Sequence, residues 1–155
     1  MTYTHLLFDH DGVLVNTEPL YLQAIQEQLA TLGIALRETD YIQNMAVGAD
    51  PWALARAAGC DEATVDQLRD ARDARYQQLL STRPITIAGV DDLIAELAKH
   101  FQLAIVTTSR DVDFDLIHAL DGQPRTSATP DVVRHMGFIL TRSQYEKSKP
   151  DPQPY

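Results

Sequence analysis

The chain has 155 residues, of which 45% are hydrophobic, and its formal net charge is −9 at pH 7. This composition supports a real core in one domain, or in a small domain with an insert. The negative charge, without a basic patch, excludes non-specific nucleic-acid binding, which depends on cationic side chains. No apolar run approaches membrane-spanning length, and no basic segment followed by an apolar stretch suggests a signal peptide. The single cysteine, Cys60, cannot form an internal disulfide, so we expect a cytoplasmic protein, whose oligomeric state the sequence leaves open.

The first predicted element is a short buried strand, Leu6 to Phe8, which two carboxylates, Asp9 and Asp11, follow at once. Residues two apart in extended backbone point to the same side, so both side chains should face one crevice at the strand end. Close carboxylates repel each other, and a bound cation such as Mg²⁺ relieves the repulsion. One carboxylate could attack phosphorus while the other serves as general acid and base. On these residues alone a polar turn is the better interpretation, because Asp and Gly are common in turns.

The next stretch, residues 16–83, shows only helical patterns. Thr17 can cap a first helix and Asp61 a long later one, and Pro84 ends the block. The alternating charges at 66–75 indicate a solvated helix face with near-neighbour ion pairs. We therefore predict a helical insert placed directly after the first strand.

The pattern then returns to alternating strands and helices. An apolar run at 103–106 predicts a buried parallel strand that ends in Thr107, and Ser109 is the expected cap of the following helix. Residues 121–131 have the composition of a loop, and 138–140 indicate a third short strand.

Three polar residues near these strand ends are candidates for phosphate binding. The hydroxyl of Thr107 and the amides that follow, at Thr108 and beyond, could hold a phosphate, and Lys149 could neutralise one. Taken alone, the two threonines are readily explained as polar residues at a strand end that cap the next helix. A lone lysine in a polar segment is usually solvated.

Three stretches together resemble the motifs of the haloacid dehalogenase superfamily of phosphohydrolases. The subgroup that they resemble contains β-phosphoglucomutase and phosphoglycolate phosphatase. Phe8–Pro19 is similar to the first motif, residues 103–109 to the second, and the Lys-Pro-x-Pro-x-x-Tyr spacing of Lys149–Tyr155 to the third. His10 stands where an apolar residue is usual and Asn16 where Asp is usual, but neither is a catalytic position of the family.

The resemblance implies an α/β fold with a Rossmann-like parallel sheet core and an inserted helical cap. The core would comprise residues 1–15 and 84–155, and the cap residues 16–83. The family's fourth motif, a strand followed by paired acids that complete the magnesium site, does not occur before Tyr155. We therefore expect the C-terminal part of the core to be missing from this sequence, and the 155-residue form to bind Mg²⁺ weakly and turn over poorly.

The resemblance also implies roles for the candidate residues. Asp9 would be the nucleophile and Asp11 the general acid and base, and both would hold Mg²⁺, Asp11 through its backbone carbonyl. Thr107, Thr108 and Lys149 would bind the phosphate.

The expected function is a magnesium-dependent phosphatase that hydrolyses a small phosphomonoester through an aspartyl-phosphate. Its partner would be a small phosphorylated metabolite of the sugar phosphate or phosphoglycolate type. In the superfamily that the sequence resembles, dehalogenases lack the second aspartate of the first motif, so the presence of Asp11 argues against a dehalogenase. Tyr21 occupies the position of the mutase histidine, and residues 45–50 lack a basic residue for gripping a sugar phosphate, so a β-phosphoglucomutase-type enzyme is the weaker alternative. A catalytically silent binding protein with this fold is the other alternative.

Overall fold

The computed structural model describes residues 3–120 and 129–155, so most of the loop predicted at 121–131 lies outside the described residues. The chain divides into two compact units. One comprises Met1–Thr17 together with Leu80–Tyr155, and the other comprises Glu18–Leu79. The sequence predicted a core of 1–15 and 84–155 and a cap of 16–83. That the second unit acts as a cap stays a prediction.

The first unit contains a parallel three-stranded sheet. Its strands are His5–Phe8 (β1), Gln102–Val106 (β2) and Met136–Leu140 (β3), in the order β1-β2-β3. Ala104 in the central strand pairs with Leu7 on one side and with Phe138 on the other. The last four residues of β2 are buried, as expected of a strand covered on both faces. The prediction that β1 is buried is wrong: its residues alternate between exposed and half-buried, and Leu7 is 45% exposed. The predicted α/β class with a parallel sheet is therefore confirmed.

The helices of the described chain follow the predicted pattern. They are Glu18–Ala30 (α1), Glu38–Ala46 (α2), Ala53–Ala57 (α3), Glu62–Thr82 (α4), Val90–Leu97 (α5) and Asp111–His118 (α6). Two short 3₁₀ helices cover Val132–His135 and Arg142–Gln144. In the described ranges, no helix combines the length and the apolar composition needed to cross a membrane.

The core of the first unit holds β2 against the flanking helices. It is built from the buried side chains Leu14, Ile94, Leu103, Ile105, Phe114 and Val132. Fully burying a side chain of this size contributes about 1.5–3 kcal/mol. This packing fixes the direction of β2, and so the place where its polar C-terminal residues emerge.

A tight loop follows β1. Gly12 has a positive φ of 72°, which a glycine adopts without strain, and its amide donates to the carbonyl of Val15 at 2.8 Å. The chain then pairs with the segment that returns from the helices. Val15 forms an antiparallel bridge with Thr86, and the Asn16 amide donates to the Ile85 carbonyl at 2.7 Å. The two segments that leave and re-enter this unit are thus hydrogen-bonded to each other.

The second unit is a bundle of short helices with its own core. The buried side chains are Leu22, Ile25, Leu29, Leu36, Tyr41, Trp52, Ala55, Val65 and Leu68. Asp61 caps α4 as predicted, since its carboxylate accepts the Thr64 amide at 2.9 Å.

The expectation of a fully solvated charged face on α4 is wrong at Arg72. The Arg72 side chain is only 12% exposed. Its guanidinium carbon lies 4.7 Å from the ring centroid of Tyr21 and 5.9 Å from that of Trp52. Planar guanidinium groups stack on aromatic faces. The alternation of charges along the sequence does not reveal that Arg72 makes such a contact.

Candidate active site

Asp9 follows β1 directly and pairs with Lys149. The Lys149 ammonium lies 2.8 Å from Asp9 Oδ1 and also donates to the backbone carbonyl of Val106, at the end of β2, at 3.2 Å. The Asp9 side chain is half exposed, whereas that of Lys149 is only 17% exposed. Oδ1 of Asp9 also accepts the backbone amide of His10 at 2.8 Å. Within residues 3–120 and 129–155, Oδ2 of Asp9 meets no hydrogen-bond donor, so one oxygen remains available to a ligand.

Asp11 lies in a cluster of hydrogen-bond donors. Oδ1 accepts the hydroxyl of Thr17 at 2.6 Å, and Oδ2 accepts the hydroxyl of Ser109. Oδ2 also lies 3.4 Å from the Thr107 hydroxyl and 3.4 Å from Nδ1 of His10. Burial alone would raise the pKa of Asp11. The hydrogen bonds from His10 and from the hydroxyls of Ser109 and Thr17 outweigh burial and hold that pKa well below its usual range. Asp11 is therefore an ionised carboxylate in this arrangement.

The sequence predicts that Ser109 caps the following helix, but the structure shows that it does not. The N-cap of α6 is Arg110, which makes no side-chain cap hydrogen bond. The Ser109 hydroxyl instead donates to Asp11, while its amide donates to Thr107 Oγ1 at 3.0 Å. A signal for this was present. Ser109 follows Thr107 by two residues at the end of β2, just as Asp11 follows Asp9 at the end of the neighbouring parallel strand.

The two threonines expected to bind phosphate have different environments. Thr107 is fully buried, its amide donates to the Leu140 carbonyl at 2.9 Å, and its carbonyl accepts the Tyr145 hydroxyl at 2.6 Å. Thr108 is exposed. Thr107 is thus firmly fixed beside Asp11, and the phosphate-binding roles of both residues stay predictions.

The structure also brings two distant histidines together. Nε2 of His10 lies 2.9 Å from Nε2 of His118 in α6, and both side chains are fully buried. Because the two residues lie 108 positions apart, no local sequence pattern could have revealed the pair.

The chemistry of the strand end suits a sparsely liganded magnesium ion. In the described part of the chain, no group of three or more His, Cys, Asp or Glu side chains could hold a metal. Mg²⁺, however, is commonly bound by one or two carboxylate-type oxygens together with water and a substrate phosphate. The open oxygen of Asp9 and the backbone carbonyl of Asp11 fit that mode of binding.

Comparison with known proteins identifies the family. Residues 6–155 match the haloacid dehalogenase-like hydrolase family, and the chain belongs to it. An uncharacterised protein in the fgs 3' region of Lacticaseibacillus casei is 31% identical over 158 residues, which cover 100% of this chain and 68% of that protein. The N-acetylmuramic acid 6-phosphate phosphatase of Pseudomonas aeruginosa is 25% identical, with coverage of 96% of this chain and 63% of the enzyme.

A solved structure shows the same fold. It is a Lactobacillus plantarum protein whose name gives phosphoglycolate phosphatase as an inferred activity. The TM-score is 0.71 at 23% identity, and the match covers 99% of this chain and 69% of that one. The chain thus spans about two thirds of the length of its relatives.

Proposed function

We propose that the protein is a phosphatase in which Asp9 accepts the phosphoryl group of a small phosphomonoester. The observation that carries this proposal is the Asp9–Lys149 pair, with one carboxylate oxygen held at 2.8 Å from the ammonium and the other open. In the first step an Asp9 oxygen attacks phosphorus, a phosphorus–oxygen bond forms, and the bond to the ester oxygen breaks. In the second step water attacks the aspartyl-phosphate and inorganic phosphate leaves.

Asp11 moves the proton in both steps. A protonated Asp11 gives its proton to the departing ester oxygen, and the resulting carboxylate takes one from the attacking water. The donors around Asp11 stabilise its ionised form, which suits the second step. To donate a proton in the first step, Asp11 must therefore give up some of these hydrogen bonds and form one to the ester oxygen instead.

Lys149 offsets negative charge where phosphate and carboxylate approach each other. Thr107, Thr108 and the amides after β2 are the proposed phosphate contacts. Asp9 and the backbone carbonyl of Asp11 would hold Mg²⁺. When bound, this ion would offset the charge of the phosphate oxygens.

The names of two similar proteins support the proposed class of substrate. One relative carries the name of an N-acetylmuramic acid 6-phosphate phosphatase, and a structural neighbour that of a phosphoglycolate phosphatase. Both names describe small phosphorylated metabolites, which is the class that we propose here. The helical unit, Glu18–Leu79, would select among them as a lid, and the unpaired Cys60 is consistent with a reducing cytoplasm.

Two alternatives are weaker. A mutase of the β-phosphoglucomutase type would need a proton carrier where Tyr21 stands, but the hydroxyl of Tyr21 accepts a hydrogen bond from the guanidinium of Arg72.

A silent binding protein is favoured by the small number of metal-ligating side chains in the described part of the chain. The ion pair of Asp9 and Lys149 and the donor cluster at Asp11 oppose it, because a binding protein needs neither.

A phosphate-release assay on the intact protein tests the proposal. The substrates are N-acetylmuramic acid 6-phosphate, phosphoglycolate and a hexose 6-phosphate, each with and without added Mg²⁺. We expect release that depends on Mg²⁺ and that Asp9→Asn abolishes, while Asp92→Asn, at an exposed position of α5, leaves it unchanged. Binding of these compounds without any release would instead support the silent binding protein.

A further inference from the structure

The buried pair of His10 and His118 connects to the proposed general acid and base, and no role has yet been assigned to it. Nε2 of His10 lies 2.9 Å from Nε2 of His118, and Nδ1 of His10 lies 3.4 Å from Oδ2 of Asp11. A line of polar contacts thus runs from α6 to the Asp11 carboxylate.

The contacts define which nitrogen of His10 carries the hydrogen. A carboxylate at neutral pH can only accept a hydrogen bond, so Nδ1 of His10 cannot act as an acceptor toward Asp11. Ser109 Oγ lies 3.5 Å from the same Nδ1, but its single hydrogen is used in the hydrogen bond to Asp11. Nδ1 therefore faces an acceptor and a hydroxyl whose hydrogen is already used. The stable arrangement has the hydrogen on Nδ1, donated to Asp11.

This choice determines the state of His118. A neutral imidazole has one donor and one acceptor nitrogen, so a His10 protonated at Nδ1 must accept at Nε2. The only nitrogen at hydrogen-bond distance from it in the described chain is Nε2 of His118, which must then donate. If His118 lost this donor, His10 would be free to adopt the other tautomer and present a lone pair to Asp11.

Packing prevents water from replacing either histidine. Both side chains are fully buried, and the Phe114 ring lies against them, with centroids 4.7 Å from His10 and 4.6 Å from His118. Solvent therefore cannot satisfy the two facing Nε2 atoms, which depend on each other for this hydrogen bond.

We propose that His118 is a positioning residue that fixes the Nδ1–H tautomer of His10, and that His10 thereby orients the carboxylate of Asp11. This inference rests on the proposed function, because it assigns the pair to the proton-transfer step. Neither histidine touches the substrate.

The tautomers are measurable without any turnover. Nitrogen-15 NMR of the intact protein, labelled at histidine, distinguishes protonated from unprotonated ring nitrogens, and His10→Asn and His118→Gln identify the signals. We expect a protonated Nδ1 and an unprotonated Nε2 in His10, with a protonated Nε2 in His118. A His10 that is protonated at Nε2, with or without a proton on Nδ1, would overturn the proposal, whether or not the protein is a phosphatase.

Turnover then tests the consequence. His118→Gln keeps an amide donor where Nε2 stood, whereas His118→Met removes it. We expect His118→Met to lower kcat about tenfold on an alkyl phosphate, as expected for one lost hydrogen bond, with KM nearly unchanged. The loss should be much smaller in the burst of p-nitrophenol from p-nitrophenyl phosphate, which measures the first step alone and has a leaving group that needs no proton, and His118→Gln should restore most of the activity.

His100→Met, at an exposed histidine, serves as the control and should change neither rate. Equal losses in alkyl phosphate turnover and in the burst of p-nitrophenol, or no rescue by Gln, would show that His118 only supports packing. If His118→Met does not fold, the tautomers of the unmodified protein still decide the question. An unmodified protein without turnover would contradict the proposed function but not the tautomer assignment.

Discussion

Lys149 Nζ lies 2.8 Å from Oδ1 of Asp9, although the two residues stand near opposite ends of the sequence. The ammonium also donates a hydrogen bond to the Val106 carbonyl at the end of β2, which fixes its position. The pair therefore depends on the parallel alignment of β1 and β2. In the proposed function, this pair would place one fixed positive charge where a phosphate approaches the carboxylate.

Replacing Lys149 with Met should remove that charge. We expect kcat/KM to fall about 10²–10³-fold, because a preorganised charge next to a transferring phosphoryl group is worth that much in comparable sites. Lys147→Met is the matched control, since this lysine is exposed and pairs with Asp151 at 3.7 Å. Similar losses in the two variants would show that the effect comes from general charge and not from the contact with Asp9.

Replacing Asp11 with Asn should have an effect that depends on the leaving group. Asn keeps the shape of the side chain but cannot transfer the proton, so turnover of an alkyl phosphate should fall roughly 10²–10⁴-fold. Formation of the aspartyl-phosphate from p-nitrophenyl phosphate, measured as the burst of p-nitrophenol, should fall much less. If the burst rate and alkyl phosphate turnover decline equally, Asp11 acts in some way other than by proton transfer.

Replacing Arg72 with Lys should destabilise the helical unit. The compact ammonium cannot stack on Tyr21 and Trp52 as the guanidinium does, and a desolvated cation–π contact of this kind is worth up to about 2 kcal/mol. Arg69→Lys, on the same helix in an ion pair with Asp66, should cost less than about 1 kcal/mol. Chemical denaturation measures both, and equal costs would argue against the aromatic contacts.

The stability of the protein should depend on the charge of Asp111 at low pH. Hydrogen bonds from Ser143 and Thr141 hold the pKa of Asp111 below its ordinary value of 3.8. A lowered pKa stabilises the fold above 3.8, and this contribution is lost as the pH falls through the folded-state pKa. Asp111→Asn should therefore lower the free energy of unfolding near neutral pH and make no difference in strong acid.

A double-mutant cycle checks the cause. In a Thr141→Val background, which lacks the donating hydroxyl, the difference between Asp111 and Asn near neutral pH should become smaller. An unchanged difference would mean that the hydroxyl of Thr141 is not what stabilises the carboxylate.

The sequence predicted those structural features that depend on local patterns of residues. The strand before Asp9, the buried run of β2 and the Asp61 cap are readable because alternation, apolar runs and capping residues act over a few positions. The sequence did not predict the pairing of Lys149 with Asp9, since nothing local joins them; motif order indicated only that Lys149 binds phosphate.

What the sequence could not show depends on side chains meeting across elements. The sequence predicts Ser109 as a helix cap because a serine before a helix usually is one, but α6 begins only at Asp111, and the hydroxyl of Ser109 donates to the carboxylate of Asp11. The contact of His10 with His118 requires that α6 pack beside β1, and the burial of Arg72 requires a pocket of aromatic rings from other helices. Such contacts are set by tertiary packing and leave no periodic signal.

The central claim is that Asp9 becomes phosphorylated, and the most direct measurement is to trap that intermediate. The intact protein is mixed with substrate and Mg²⁺, quenched in acid within one turnover, reduced with borohydride and digested for peptide mass spectrometry. We expect the mass change of a reduced acyl phosphate at Asp9, absent without substrate and absent in Asp9→Asn. Turnover without any modification at Asp9, or with the modification at Asp11 or another residue, would contradict this account.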